Sequence, residues 1–204
     1  SFDVKYSATL IPEENWNKRW ESNLEPNVVD KRCTVQASYQ KGVPRTRYQI
    51  TIDPKMSFRT GHNQTTYLKL DSILEDCSAI KDKQVLDMGC GTGILAILAA
   101  KMGAKSPVHA IDIDYTAVLS SIENSRRNRV SGKIITKCGD ASLLQAGKYD
   151  TILANINRNI LLSDISTYSR SMRNDGTLYV SGFYTEDIPL LVAEASKHSL
   201  KMVS

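Results

Sequence analysis

The run Gln84-Val85-Leu86-Asp87-Met88-Gly89-Cys90-Gly91-Thr92-Gly93 joins an apolar strand pattern that closes on an acid to three glycines at alternate positions. The segment Ile94–Met102 that follows is helical in pattern, so the chain here reads as strand, tight turn and helix. Glycine has no Cβ, so such a turn can take left-handed conformations and let a ligand approach the backbone closely. The helix N-terminus beyond it offers unpaired N–H groups to an anionic group. A nucleotide-like ligand suits both features. The dinucleotide fingerprint needs its third glycine five positions after the first, where this chain has Ile94, and that departure argues against NAD.

Outward from this turn the chain alternates strand and helix patterns, with strands expected at Gln84–Met88, 108–112, 133–138, Tyr149–Asn155 and 177–181. That alternation predicts an α/β fold, a mostly parallel sheet with helices on both faces, whose ligands lie outside the carboxyl ends of the strands. The strand-end residues are therefore the candidate site. Asp112 falls nineteen residues past Gly93, where an acid accepts hydrogen bonds from a ribose diol, while Asp114 is placed as a helix N-cap. In Gly139-Asp140-Ala141 the carboxylate can accept from an adenine amino group and the Ala141 N–H can meet a ring nitrogen. Asp87 either faces a positively charged part of the ligand or braces the glycine turn. Asn155 ends the fourth strand, and its one acceptor and two donors can hold an amine without supplying or taking a charge.

Residues 1–52 follow a different pattern. Trp16 and Trp20, four apart, share one face of a short charged helix candidate and are read as packing residues. Segments 31–39 and 46–52 alternate around the turn signal Lys41-Gly42-Val43-Pro44 and predict a β-hairpin. A polar stretch then leads into a helix at Tyr67, with apolar Leu68, Leu70, Ile73 and Leu74 and with Thr65 or Thr66 as N-cap. At the other end, Lys201, Met202 and Val203 read as the start of a sixth strand.

The chain has 204 residues and a net charge of +4, enough for one full core with a smaller appendage and too little charge to imply a nucleic-acid partner. Cys33, Cys77, Cys90 and Cys138 stand far apart in neither a zinc pattern nor a disulfide framework, and predict reduced thiols in a cytoplasmic protein. No apolar stretch is long enough to span a membrane, and no signal-peptide pattern opens the chain. The basic run Arg126, Arg127, Arg129 and Lys133 reads as a solvated helix end.

The turn at 87–93, spaced this way behind an acid, resembles motif I of the class I methyltransferases. With Asp53-Pro54-Lys55-Met56-Ser57-Phe58, Thr60-Gly61, Thr65-Thr66, Asp112-Ile113-Asp114 and Leu153-Ala154-Asn155-Ile156, nearly the whole chain resembles the bacterial ribosomal protein L11 methyltransferase family, PrmA type. Glu123-Asn124, Asn128 and Ser181-Gly182 extend the match. The resemblance implies S-adenosylmethionine as cofactor, a threonine loop at Thr60, Gly61, Thr65 and Thr66 closing over it, and cofactor contacts at Asp87, Gly89, Gly91, Gly93, Asp112, Asp140, Ala141 and Asn155. It also implies Asn155 as the catalytic residue, no metal, and methylation of lysine ε-amino and α-amino groups of a stalk-base ribosomal protein, without direct nucleic-acid or membrane binding. Residues 53–204 would form the methyltransferase domain, lacking a terminal hairpin, and residues 1–52 the remnant of a substrate-recognition region. Arg59 stands where the family has glycine, which leaves open a module that binds the cofactor without catalysis.

Overall fold

The computed structural model describes residues 27–53 and 64–203, the side chains of residue 27 and residues 64–67 excepted. The expected tryptophan helix, Arg59, Thr60 and Gly61 lie outside the described residues. The elements in chain order are β1 (Asn27–Val29), β2 (Cys33–Gln36), β3 (Tyr48–Thr51), α1 (Gln64–Glu75), β4 (Gln84–Met88), α2 (Ile94–Met102), β5 (Lys105–Asp112), α3 (Tyr115–Arg127), β6 (Ile134–Cys138), β7 (Tyr149–Asn155), α4 (Arg158–Ser171), β8 (Met172–Ser181) and α5 (Ile188–Lys197).

The larger sheet runs in the order β6-β5-β4-β7-β8, with every neighbouring pair parallel. Successive side chains of a strand point to opposite faces, and each face carries its own apolar core. Val85, Leu153 and Tyr179 pack on the face covered by α1 and α2, while Leu86, Met88, Ile152, Ala154, Leu178 and Val180 pack on the face covered by α4. The helix α2 is apolar all round because it is enclosed: eight of its nine residues are buried. The chain leaves β4 toward β5 on one side and returns to β7 on the other, so the order reverses at β4 and a crevice opens at its carboxyl end.

The smaller sheet corrects one sequence expectation. The antiparallel hairpin joins β1 to β2 through the three residues Asp30, Lys31 and Arg32, with Asp30 and Lys31 in the left-handed region at φ 45° and 54° and Arg32 N donating to Val29 O at 3.1 Å. The strand at Tyr48–Thr51 then pairs with β2 in parallel, so Gly42 and Pro44 sit in a crossover and not in a hairpin turn. Alternating patterns are the same in both directions. Two further expectations shift: α1 begins at Gln64, which puts Thr65 and Thr66 inside the helix, and Lys201, Met202 and Val203 form no strand.

The small sheet is held to the large one by two asparagines of the α3 end. Asn128 accepts from Thr51 N at 2.9 Å and donates to Thr51 O at 2.7 Å, completing the hydrogen bonds of an edge strand. Asn124 is almost wholly buried, donates to Thr92 O at 3.0 Å in the glycine turn and accepts from Arg127 at 3.0 Å and from Asp53 N at 3.4 Å. Arg127 also pairs with Asp53 at 3.0 Å, so one member of the basic run is tied down. Asn128→Ala should destabilise the protein by about 1–3 kcal/mol, the cost of leaving two backbone groups without partners. Urea unfolding measures this, and an unchanged midpoint would remove the docking role of Asn128.

Candidate active site

The glycine turn is fixed from β5. Ile111 O accepts from Gly89 N at 2.8 Å and Cys90 N at 3.0 Å, which carries the chain across the end of the sheet. Asp112 accepts from Gly91 N at 2.8 Å through Oδ2 and from Asp114 N at 2.9 Å through Oδ1. A carboxylate has roughly four acceptor positions, so Asp112 keeps capacity for a ligand diol. Asp114 caps α3, its side chain accepting from Thr116 N, as the sequence suggests.

Two glycines have separate reasons to be there. Gly93 is the N-cap of α2 at φ +78°, and a Cβ added to it would lie 2.4 Å from Ser121 Oγ. Gly93→Ala should therefore cost about 1–3 kcal/mol in strain and overpacking. A thermal melt unchanged from the parent would contradict the close packing on Ser121. Gly91, at φ +52°, has nothing among the described residues within 4 Å of where its Cβ would be, although it lines the cavity; a side chain there would fill the space that a ligand needs.

That cavity, about 340 Å³, lies outside the carboxyl ends of β4, β5, β6 and β7, and its size is in the range of small-molecule sites. Gly89, Cys90, Gly91 and Thr92 form its floor, Asp112 and Ile113 one wall, Gly139 and Asp140 the next, and Asn155, Ile156 and Asn157 the far end. Asp140 is exposed, and hydrogen bonds from Ser142 hold its carboxyl below the usual carboxylate range, so it is an ionised acceptor. The amide oxygen of Asn155 accepts from Ser181 Oγ at 3.0 Å, which fixes the side chain at the cavity edge.

Among the sequence candidates, Gly89, Gly91, Asp112, Asp140 and Asn155 line this cavity, and Asp87, Gly93 and Ala141 do not. Asp87 is fully buried behind the turn, where Oδ2 accepts from Ala96 N at 3.0 Å in the first turn of α2. Gly93 packs on Ser121, and Ala141 is buried in the α4-side core. The side chains of Thr65 and Thr66 lie outside the described residues. Sequence reasoning missed Ile113, 75% exposed and forming an apolar shelf beside Asp112, and it missed Asp164 of α4. The spacing of Ile160 and Asp164, four apart on the helix that follows Asn155, is the signal that could have found the latter. His109 is structural: its Nδ1 pairs with Tyr149 OH at 2.8 Å, and burial pushes its imidazole down to about 4, so it is neutral at pH 7.

The acceptors of Asp112 and Asp140 suit a nucleoside, and the Cβ-free floor at Gly91 suits a close-lying chain beyond it. A doubly wound sheet with those groups but without the third dinucleotide glycine is that of a class I, Rossmann-like methyltransferase, for which S-adenosylmethionine is the methyl donor. The family model described as ribosomal protein L11 methyltransferase (PrmA) matches residues 2–204, and the chain belongs to that family. It is 44% identical to the ribosomal protein L11 methyltransferase of Bacteroides thetaiotaomicron over 202 residues, 98% of this chain and 71% of that protein. The Porphyromonas gingivalis protein of the same name is 47% identical over 189 residues, 92% of this chain and 64% of its own length. The crystal structure of the ribosomal protein L11 methylase from Lactobacillus delbrueckii subsp. bulgaricus aligns with a TM-score of 0.75 at 28% identity, covering 89% of this chain and 93% of that one.

Proposed function

We propose that this chain transfers methyl groups from S-adenosylmethionine to amino groups of ribosomal protein L11, at lysine side chains and an α-amine. One observation carries the reading of an amine substrate: the strand-end group at the cavity edge is a neutral amide, Asn155, oriented by Ser181. The names of the relatives supply the protein substrate. Bound S-adenosylmethionine would supply a sulfonium methyl, which the amine lone pair would take as the C–S pair returns to sulfur, with the ammonium proton released to water.

The residues of this chain bind and orient. Asp112 accepts from the ribose, Asp140 from the adenine amino group, and the Ala141 N–H meets a ring nitrogen. Gly89, Gly91 and Gly93 shape the turn beneath the cofactor, Asp87 braces it from behind, and Thr60, Gly61, Thr65 and Thr66 cover it. Residues 1–52 form the linker region ahead of the methyltransferase domain at 53–204. The enzyme works in the cytoplasm, where its ribosomal substrate is made. No helix among the described residues is long and apolar enough to cross a membrane, and all four cysteines are unpaired, both in keeping with that place.

The test is mass spectrometry of purified L11 after incubation with the enzyme and S-adenosylmethionine. Methyl groups located on lysine side chains and on the N-terminal amine are expected. Modification confined to other residue types would overturn the amine reading, and an unmodified L11 would overturn the substrate.

A further inference from the structure

Lys69 of α1 is only 4% exposed, on a helix whose neighbouring Leu68 is 55% exposed. A buried ammonium is costly unless it is paired and hydrogen-bonded. Here Nζ donates to Ala154 O at 2.9 Å and to Tyr179 O at 2.8 Å, carbonyls near the carboxyl ends of β7 and β8. The Ala154 carbonyl belongs to the peptide group whose nitrogen is that of Asn155. Tyr179 lies two residues before Ser181, whose hydroxyl holds the Asn155 amide. By strand alternation Asn155 lies on the face of Leu153, and Ser181 on the face of Tyr179, which is the face that α1 covers.

The charge that faces Lys69 from β4 is Asp87, with Asp112 of β5 acting on Asp87 in turn. Burial pushes both Lys69 and Asp87 toward their neutral forms, and each is held toward its charged form by the other. Among the described residues Asp87 Oδ1 is buried with no hydrogen-bond partner, and Lys69 is the positive charge that acts on this carboxylate. On the β8 side the neighbouring phenol is Tyr179, which donates to Asp76 at 2.8 Å.

We propose that Lys69 is a positioning residue for methyl transfer: it clamps the ends of β7 and β8 together from below, so that Asn155 and Ser181 are held in register at the cavity edge. The effect on turnover rests on Asn155 being the group that orients the amine. A helix otherwise docked by Leu70, Ile73 and Leu74 would need only a fourth apolar side chain at this position. Two carbonyls engaged by one ammonium join strands that the cavity needs at a fixed separation. The proposed cofactor acceptors are Asp112, which ends β5, and Asp140, which follows β6, on the opposite side of β4, so the clamp should act on the transfer step more than on cofactor affinity.

The test compares kcat and the dissociation constant for S-adenosylmethionine in Lys69→Met, Asp87→Asn and the double variant, with L11 as substrate. Lys69→Met leaves a buried carboxylate without its cation and can fail to fold, whereas the double variant removes both charges. The expected result is a kcat in the double variant about tenfold or more below that of Asp87→Asn, as a displaced reacting pair implies, with cofactor affinities within about threefold. Equal kcat values in the two would overturn the clamp and leave Lys69 only as the counter-charge of Asp87. A parallel loss of affinity would overturn it in favour of general disruption of the fold. Asn155→Ala run beside them separates the two ideas: full turnover there sinks the amine-orienting role, whereas a loss there with no Lys69 effect sinks the clamp alone.

Discussion

Asp112→Ala is expected to weaken S-adenosylmethionine binding by about 1.5–3 kcal/mol, roughly 10- to 150-fold, the range for hydrogen bonds to a charged group. The side chain has two tasks that reinforce each other. It accepts from Gly91 N and Asp114 N, which ties the glycine turn to the start of α3, and it presents its remaining acceptor positions to the cavity. The alanine variant would remove the proposed ligand contact and would also free the Gly91 and Asp114 N–H groups. Asp112→Asn keeps one amide oxygen for Gly91, while its NH₂ can accept neither from Asp114 N nor from a ribose hydroxyl. Affinity should fall in both variants, further in alanine. Calorimetric titration decides the matter: unchanged affinity in either variant removes the ribose role, and an equal loss in both shows that the Gly91 hydrogen bond contributes nothing to affinity.

Much of this site is written in local pattern because its parts are local necessities. A strand buried on both faces is mostly apolar, as Val85, Leu86, Ile152 and Leu153 show, and the turn after it demands residues at positive φ, which Gly89, Gly91 and Gly93 supply. Strand ends are functional in any open parallel sheet, so Asp112, Asp140 and Asn155 stand out without a structure. The early part of β8 did not show itself, since Arg173-Asn174-Asp175-Gly176 is polar and carries a bulge, with Asp175 at φ 62°. The parallel pairing of β2 with β3 was equally hidden, because the sequence period of a strand is two whatever the direction of its neighbour. Asn124, Asn128 and Lys69 bond to partners from 32 to 110 residues away in sequence, and only tertiary structure decides that Lys69 and not Leu68 faces inward. Asp87 shows the intermediate case: its importance was visible, but whether it faced the ligand or braced the turn depended on which side of β4 it fell.

Asn155→Ala should leave cofactor affinity nearly intact and cut turnover by on the order of 100-fold, the cost of losing the alignment of one reacting group. A free lysine amine has a pKa of about 10.4, so at neutral pH nearly all of it is ammonium without a lone pair to give. On the proposed reading, entry into a cavity walled by Ile113, Ile156 and Ile160 would remove water and disfavour the charged form, and the positive charge that bound S-adenosylmethionine would supply acts in the same sense by like-charge repulsion. No dedicated base is then required. What would remain is orientation, for which the proposed group is Asn155, whose amide oxygen is held by the Ser181 hydroxyl. Neutrality matters as much as geometry, for a carboxylate at this position would stabilise the ammonium and raise the pKa that the cavity has to lower. Asn155→Asp, although nearly the same shape, is therefore expected to fail as a substitute, and its residual rate should rise with pH over the range in which the bound amine loses its proton. Steady-state methyl transfer to L11 from pH 6 to about pH 10, across the lysine titration, checks both variants. Full turnover in Asn155→Ala would mean that other groups hold the amine, and a fully active Asn155→Asp would mean that the neutral acceptor is dispensable.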